Sequence, residues 1–291
     1  MRQNELPSTG TYQEYSDLAR EYAGRVARGE IKGARLLTMR SAKIDKSGGA
    51  GFLSVILHLE PATRFEGAAI SFQSCLWSTA GCIKACLRFG GRMRFRGGAF
   101  ARLWRSWLLA DRPEVFYRML TKEIAAAEKR ARRRGLGFTV RLNGTSDLTW
   151  ESMPIAAAGG RNIFEIFSGV QFYDYTKSPD RPLQVRISNY HLVYSHNEKS
   201  AANREGEILA AGGSIAMVFD LKGGSMPSRF EIGGRSYPVI DGDVTDLRHL
   251  DPRGVIVGLK YKKAFSPRTR KAIEPPAGFV VKINRVASKG A

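Results

Sequence analysis

Apolar residues recur every three or four positions at Tyr15, Leu18, Tyr22 and Val26, the spacing of one helical face, and Gly29 ends the run. This pattern predicts a helix over 11–28. A second stripe, Phe116, Leu120, Ile124, Ala127 and Ala131, predicts an amphipathic helix over 113–134 whose outer face carries Arg118, Lys122, Lys129 and Arg133. Shorter helices are expected from Thr79 and over 162–167 and 200–211. Alternating or continuous short apolar runs predict strands at 34–38, 52–59, 68–72, 137–143, 171–175, 183–187, 191–194, 214–219, 238–240 and 255–259. Strands separated by helices imply parallel pairing through crossovers. The expected fold is therefore α/β: a single domain, an irregular or partial (β/α) barrel with mixed edge strands behind an N-terminal helix. Its divisions are an N-terminal helical segment 1–30, a barrel-like core 31–263 and a basic C-terminal segment 264–291. If the sheet curls shut, polar residues just after strand ends gather at one mouth. Those are the cysteine loop, 143–151, 174–177, 188–189, 220–222 and 241–251.

Composition adds a partner class. The chain has 291 residues, 43% of them hydrophobic, enough for a full core and too many for a disordered or collagen-like chain. No apolar run reaches the length of a membrane span, and the opening MRQNELPSTG lacks the apolar middle of a secretory signal, so a cytoplasmic protein is expected. Lys and Arg total 46 against 27 Asp and Glu, a net charge of +19, which points to a polyanion, nucleic acid first, DNA or RNA. Residues 88–134 hold fourteen Lys/Arg against four acids. Within them, Arg92, Arg94 and Arg96 interleave with Phe89 and Phe95, a composition suited to phosphate contacts and base stacking, and also to a plain flexible loop. Lys129, Arg132 and Arg133 offer further phosphate contacts, or simply a solvated helix surface. No phosphate-cradling Gly-Lys-Ser/Thr loop is present, which argues against an ATPase.

The candidate chemistry begins with Cys75-x6-Cys82-x3-Cys86, all three cysteines of the chain within twelve residues. Three soft thiolates suit an iron–sulfur cluster with one iron left open, or a zinc whose fourth ligand is His191, His196 or Asp147. Buried free thiols are the plain alternative. The spacing differs from the Cys-x3-Cys-x2-Cys run of radical enzymes that cleave S-adenosylmethionine, although a loop after an early barrel strand is where their cluster sits. Radical-type base modification with S-adenosylmethionine is thus one expected chemistry. Asn143 and Asp147 in NGTSDLTWE, with Tyr175 and Lys177 at another strand end, are expected to line the mouth as substrate-orienting and acid–base residues. The plain alternative is that Thr145, Ser146 or Asp147 only caps a helix. In DGDVTDLRHLDP, Asp241, Asp243 and Asp246 suit a divalent metal in a nuclease, but turn chemistry, with Asp246 capping or pairing with Arg248, accounts for them more simply.

The motif order GCIKAC, VRLNGTSD, YDYTKS and VRIS resembles the phage and mobile-element proteins of the gene product 88 family, over roughly residues 68–190. In that family a Cys-Pro-Gly-Ala loop runs into a Cys-Tyr pair, followed by an Arg-bearing strand with Ser-Gly-Asp, a Tyr-Thr element and a strand ending in Ser. The resemblance carries over Cys75, Cys82, Cys86, Arg141, Asp147, Tyr175, Thr176 and Ser188. Leu76 and Trp77 stand where Pro-Gly would, and Leu87 where Tyr would. The resemblance implies a phage or prophage origin, with the host cytoplasm as the place of action, and a shared site without a named reaction. The combined expectation is a phage-type protein with a three-cysteine metal centre acting on or with nucleic acid. Its alternatives are a non-enzymatic binder stapled by zinc and a metal-dependent nuclease.

Overall fold

The computed structural model describes residues 11–39, 42–221, 224–266 and 271–283. Expectations that fell on residues 1–10, Lys222, 267–270, 284–291 and the side chain of Arg92 lie outside the described residues. The helices are α1 (Tyr12–Ala27), α2 (Ala42–Gly49), α3 (Ala80–Lys84), α4 (Arg96–Asp111), α5 (Pro113–Arg133), α6 (Ile163–Ile166), α7 (Arg181–Gln184) and α8 (Ala202–Ala210). The strands are β1 (Leu37–Thr38), β2 (Phe52–Leu57), β3 (Arg64–Phe65), β4 (Phe72–Gln73), β5 (Gly137–Arg141) and β6 (Gln171–Thr176). They continue with β7 (Tyr190–Ser195), β8 (Ser214–Asp220), β9 (Arg229–Ile232), β10 (Arg235–Asp241), β11 (Ile256–Lys260) and β12 (Val280–Lys282).

All strands but the β3–β4 hairpin join one ten-stranded mixed sheet. Its spine is parallel, in the order β2-β5-β6-β7-β8-β11-β10. The edges are antiparallel: β1 on β2, and β9 on β10. Among the described residues nothing pairs β1 with β9, so the sheet is a partial barrel and not a closed ring. The spine splays between β7 and β8. These strands pair only at the start of β8, from Ser214 to Ala216, and β12 takes the vacated edge at Val218, Phe219 and Asp220.

The outer face of the sheet packs on α1, α4 and α5 through the main hydrophobic core. The predicted stripe of α5 is buried, and its predicted basic stripe is exposed. Small residues Ala19 and Ala23 bring α1 onto α4, where Arg20 also forks onto Asp111 at 2.7 Å and Trp107 donates to Ser16 Oγ at 2.9 Å. The concave face is filled differently. The segment after β10 folds back into it, so that His249 packs 5.3 Å from Phe52 and 6.0 Å from Tyr173. Asp246 there accepts from Arg141 at 3.2 Å.

Several sequence expectations are corrected. Residues 183–187 do not form a strand: Pro182 opens the short helix α7 and the chain then runs irregularly. The runs 34–38 and 68–72 yield only two-residue strands near their ends. RFGGRMRFRGG is not a featureless loop, since it forms two 3₁₀ turns and the start of α4. Helix α4 is absent from the expected elements because it buries residues on nearly every side, which erases the amphipathic period. Among the described residues no helix is long and apolar enough to cross a membrane.

Ile124→Ala, which empties a fully buried position of α5, is expected to lower stability by about 2–5 kcal/mol. The measurement is the urea midpoint at unchanged slope, with exposed Lys129→Ala shifting it by less than about 0.5 kcal/mol.

Candidate active site

Spine strands of one direction deliver their carboxyl ends to one edge of the sheet, where strand-end loops converge on ligands in open α/β folds. Here those loops enclose a cavity of about 240 Å³. Cys75, Cys82 and Cys86 line it together with Arg141, Asn143, Asp147, Tyr175 and Lys177. The three thiols and the four residues expected at the mouth therefore share one space.

The cysteine wall is held by hydrogen bonds to the loops around it. Cys75 Sγ accepts from Ala62 N at 3.3 Å, and Asp147 N donates to Ser74 O at 2.8 Å, a bridge between the cysteine loop and the loop after β5. Thr79 caps α3, accepting from Cys82 N at 3.2 Å and donating to Glu198 at 2.8 Å. Gly81 N donates to the same carboxylate at 2.7 Å, and a Cβ there would stand 2.9 Å from the Cβ of Phe279, a close approach that favours glycine. All three cysteines are free of disulfides and half-buried. Burial pushes the Cys75 thiol up to about 12 and raises those of Cys82 and Cys86. Among the described residues no three His, Cys, Asp or Glu side chains converge closely enough to hold a metal ion where they stand.

Of the three candidate fourth ligands only Asp147 lines the cavity. His196 lies between Glu205, 2.6 Å from Nδ1, and Gly278 O, 3.0 Å from Nε2. His191 lies on the concave face, where burial and Arg248 lower its pKa.

The opposite wall is a buried polar framework. Asn143 Oδ1 accepts from Ser146, Leu148 N and Trp150 Nε1, while its amide donates to Leu148 O. Its role is to shape the loop. Gly144 N donates to Leu57 O at 3.0 Å, an approach that a Cβ would block against Ile56, Leu57 and His58. Asp147 accepts from Arg181 at 2.9 Å, Lys177 N at 2.7 Å and Thr176 at 3.3 Å. Arg181, which belongs to no sequence motif, also forks onto Glu151 at 2.8 Å. Burial pushes the Asp147 carboxyl up to about 6, with Arg181 and the backbone bond pulling it down.

Lys177 and Tyr175 both line the cavity, and their polar atoms are held in contrasting ways. Lys177 Nζ donates to Ser195 O, Ser195 Oγ and His196 O at 3.1, 2.8 and 2.8 Å and lies 4.4 Å above the Phe279 ring. Burial lowers its pKa to about 8, while nearby Cys82 raises it. Tyr175 Oη and Arg141 Nε are buried without a hydrogen-bond partner among the described residues, with the Arg141 guanidinium 4.6 Å from the Tyr175 ring. Ser195 and Phe279 had no motif to announce them: β12 brings Phe279 in through the β7–β8 splay.

The remaining predicted residues lie elsewhere. Ser188 is exposed and away from the cavity. Arg94 is exposed near the cysteine loop, 5.0 Å from the Phe265 ring, and Arg96 opens α4. Lys129, Arg132 and Arg133 end α5, which feeds the amino end of β5, so they stand at the opposite edge of the sheet. The structure does not unite the two basic groups. The acidic loop is likewise divided. Asp246 is buried against Arg141 and Tyr173, whereas Asp243 accepts from Lys260 N and Lys262, and Asp241 accepts from Asp243 N. Those are structural bonds of a folded-back turn, in which Arg248 N donates to Asp246 O at 3.0 Å while the Asp246 carboxylate accepts from Arg141.

Asp174 anchors the framework from below, accepting from Asn143 N at 2.7 Å and Tyr190 at 3.1 Å, and burial pushes its carboxyl up to about 7. Because the fold favours the protonated acid, its contribution to stability is complete below the ordinary carboxyl range and is lost as pH rises to about 7. Stability against urea is expected to fall between pH 4 and 7, and Asp174→Asn is expected to flatten that fall.

The searches of curated proteins and of solved structures each found no match. A family model, Gene product 88, matches residues 31–276, the sheet from β1 through β11 with the cysteine loop and the framework around it. By that match over most of its length, the chain belongs to the gene product 88 family.

Proposed function

We propose that the cavity is the active site of an enzyme acting on nucleic acid, with a metal centre held by Cys75, Cys82 and Cys86. The observation that carries this reading is the position of the three thiols. One loop, following the first parallel strand, sends all of them into a cavity at the carboxyl edge of an open parallel sheet. The donor set fits an iron–sulfur cluster in kind, three soft ligands with no fourth cysteine in the chain. No three donors converge as they stand among the described residues, so to hold a metal the segment 75–86 would have to draw inward. A cluster held by Cys75, Cys82 and Cys86 would supply one-electron chemistry, the class to which radical base modification with S-adenosylmethionine belongs.

The chain's own residues supply the rest. Lys177, fixed by three acceptors, opposes the charge of a Cys82 thiolate and so favours the ligating form. Asp147 holds the cysteine loop against the ends of β5 and β6. Tyr175 lines the cavity beside them, its hydroxyl buried without a hydrogen-bond partner among the described residues. Unpaired cysteines suit a reducing compartment, so we place the protein in the cytoplasm, that of the host for a phage-encoded chain.

Protein purified without oxygen is expected to be brown and to contain iron and acid-labile sulfide. Cys75→Ser, Cys82→Ser and Cys86→Ser are each expected to lose most of the visible absorbance while keeping the far-ultraviolet circular dichroism of the parent. Colourless protein with one zinc per chain would make the cysteines a staple in a binding protein, and metal-free protein would overturn the centre altogether.

A further inference from the structure

The mouth of this cavity has an unusual rim. Leu76, Ile83, Leu87 and Phe95 are 56, 41, 51 and 55% exposed, four of the seven large exposed hydrophobic residues among those described. They lie on one stretch of chain, and Ile83 and Leu87 also line the cavity. From residue 67 to 110 the sequence contains seven Lys and Arg and no Asp or Glu, although Arg88, Arg102 and Arg105 of these are engaged by Glu60 and the Arg35 carbonyl. Lys84 and Arg94 of that stretch are exposed. The end of β11 and the segment after it border that stretch, since Phe265 N donates to Phe89 O at 3.1 Å, and they add exposed Lys260 and Lys263.

An apolar rim alone fits many partners, but this charge pattern repels basic surfaces and attracts a polyanion. Apolar and aromatic side chains next to cations fit an unpaired strand, whose base faces are open to stacking while its phosphates meet Lys and Arg. In a duplex those faces are already stacked. The cavity behind the rim is too small for a strand and suits one ring system. Arg141, Asn143, Tyr175 and Lys177 line it, which gives a base polar side chains beside the apolar ones.

We propose that the rim around the cysteine loop docks single-stranded nucleic acid and that one base enters the cavity. The inference rests on the active-site reading above and names the substrate class of that site. The basic end of α5, at the opposite edge of the sheet, takes no part.

The test is fluorescence anisotropy of the full chain with a short labelled oligothymidylate and with the same strand annealed to its complement, alongside metal analysis of the same preparation. Single strand is expected to bind tighter than duplex. Exposed Phe95→Ala is expected to weaken binding about ten-fold. The pair Lys260→Ala and Lys263→Ala is expected to reduce the salt slope by about 0.7 per lost contact. Lys129→Ala with Arg132→Ala and Arg133→Ala should leave affinity unchanged. The proposal is overturned if the rim variants bind like the parent, if the α5 triple carries the loss, or if duplex binds tighter. Rim-dependent binding by protein lacking iron, zinc and sulfide would sink the metal centre and keep the rim. Metal-bearing protein whose strand binding ignores the rim would do the reverse.

Discussion

One buried carboxylate, Asp147, joins the segments that make the cavity. Its backbone bridges to the cysteine loop, and its side chain binds Arg181, the end of β6 and Thr176. Removing a charge from water is costly unless its partners are close and complete, and here they come from residues 176–181, while the backbone of Asp147 binds Ser74. The arrangement therefore specifies one relative placement of cysteine loop, β5 loop and β6 end. Breaking the pair by deleting Arg181 would strand Asp147 in a dry environment, a loss of about 3–5 kcal/mol in comparable cases.

The same constraint governs the positive charge. Arg102 and Arg88 meet on buried Glu60, Arg141 on Asp246, and Arg248 on Asp251. Arg105 donates to the carbonyl of Arg35. A count of basic residues is therefore not a count of phosphate contacts, because part of the surplus is interior framework. Exposed Lys and Arg are spread over much of the surface, Arg161, Arg186, Arg229 and Arg253 among them, and of the two basic groups singled out by the sequence only the one beside the cysteine loop stands near the cavity.

Membership of the gene product 88 family extends the resemblance seen in four short motifs to most of the chain. Two features of the site lie past the matched residues: Phe279 and strand β12. Helix α1 precedes the match, yet it is packed into the main core through Ala19 and Ala23. The added ends are thus integrated with the fold, one completing the core and the other completing a cavity wall.

Much was legible from local pattern. Period-3.6 spacing located α1 and α5, apolar runs located β2, β5, β6, β7, β8 and β11, and cysteine spacing marked the loop. These signals are local because solvent acts on each segment in the same way wherever the segment ends up. Helix α4, buried on nearly every side, had no such signature, and Pro182 turned an apparent strand into a short helix. Tertiary structure alone decided that the sheet stays open, that Asn143 and Asp147 are bound into a buried polar framework, and that the Tyr175 hydroxyl has no hydrogen-bond partner among the described residues. It also drew Arg181, Ser195 and Phe279 to the site and sent the two basic groups to opposite edges. Such outcomes depend on which distant groups meet after water has been excluded, and no spacing along the chain encodes that meeting.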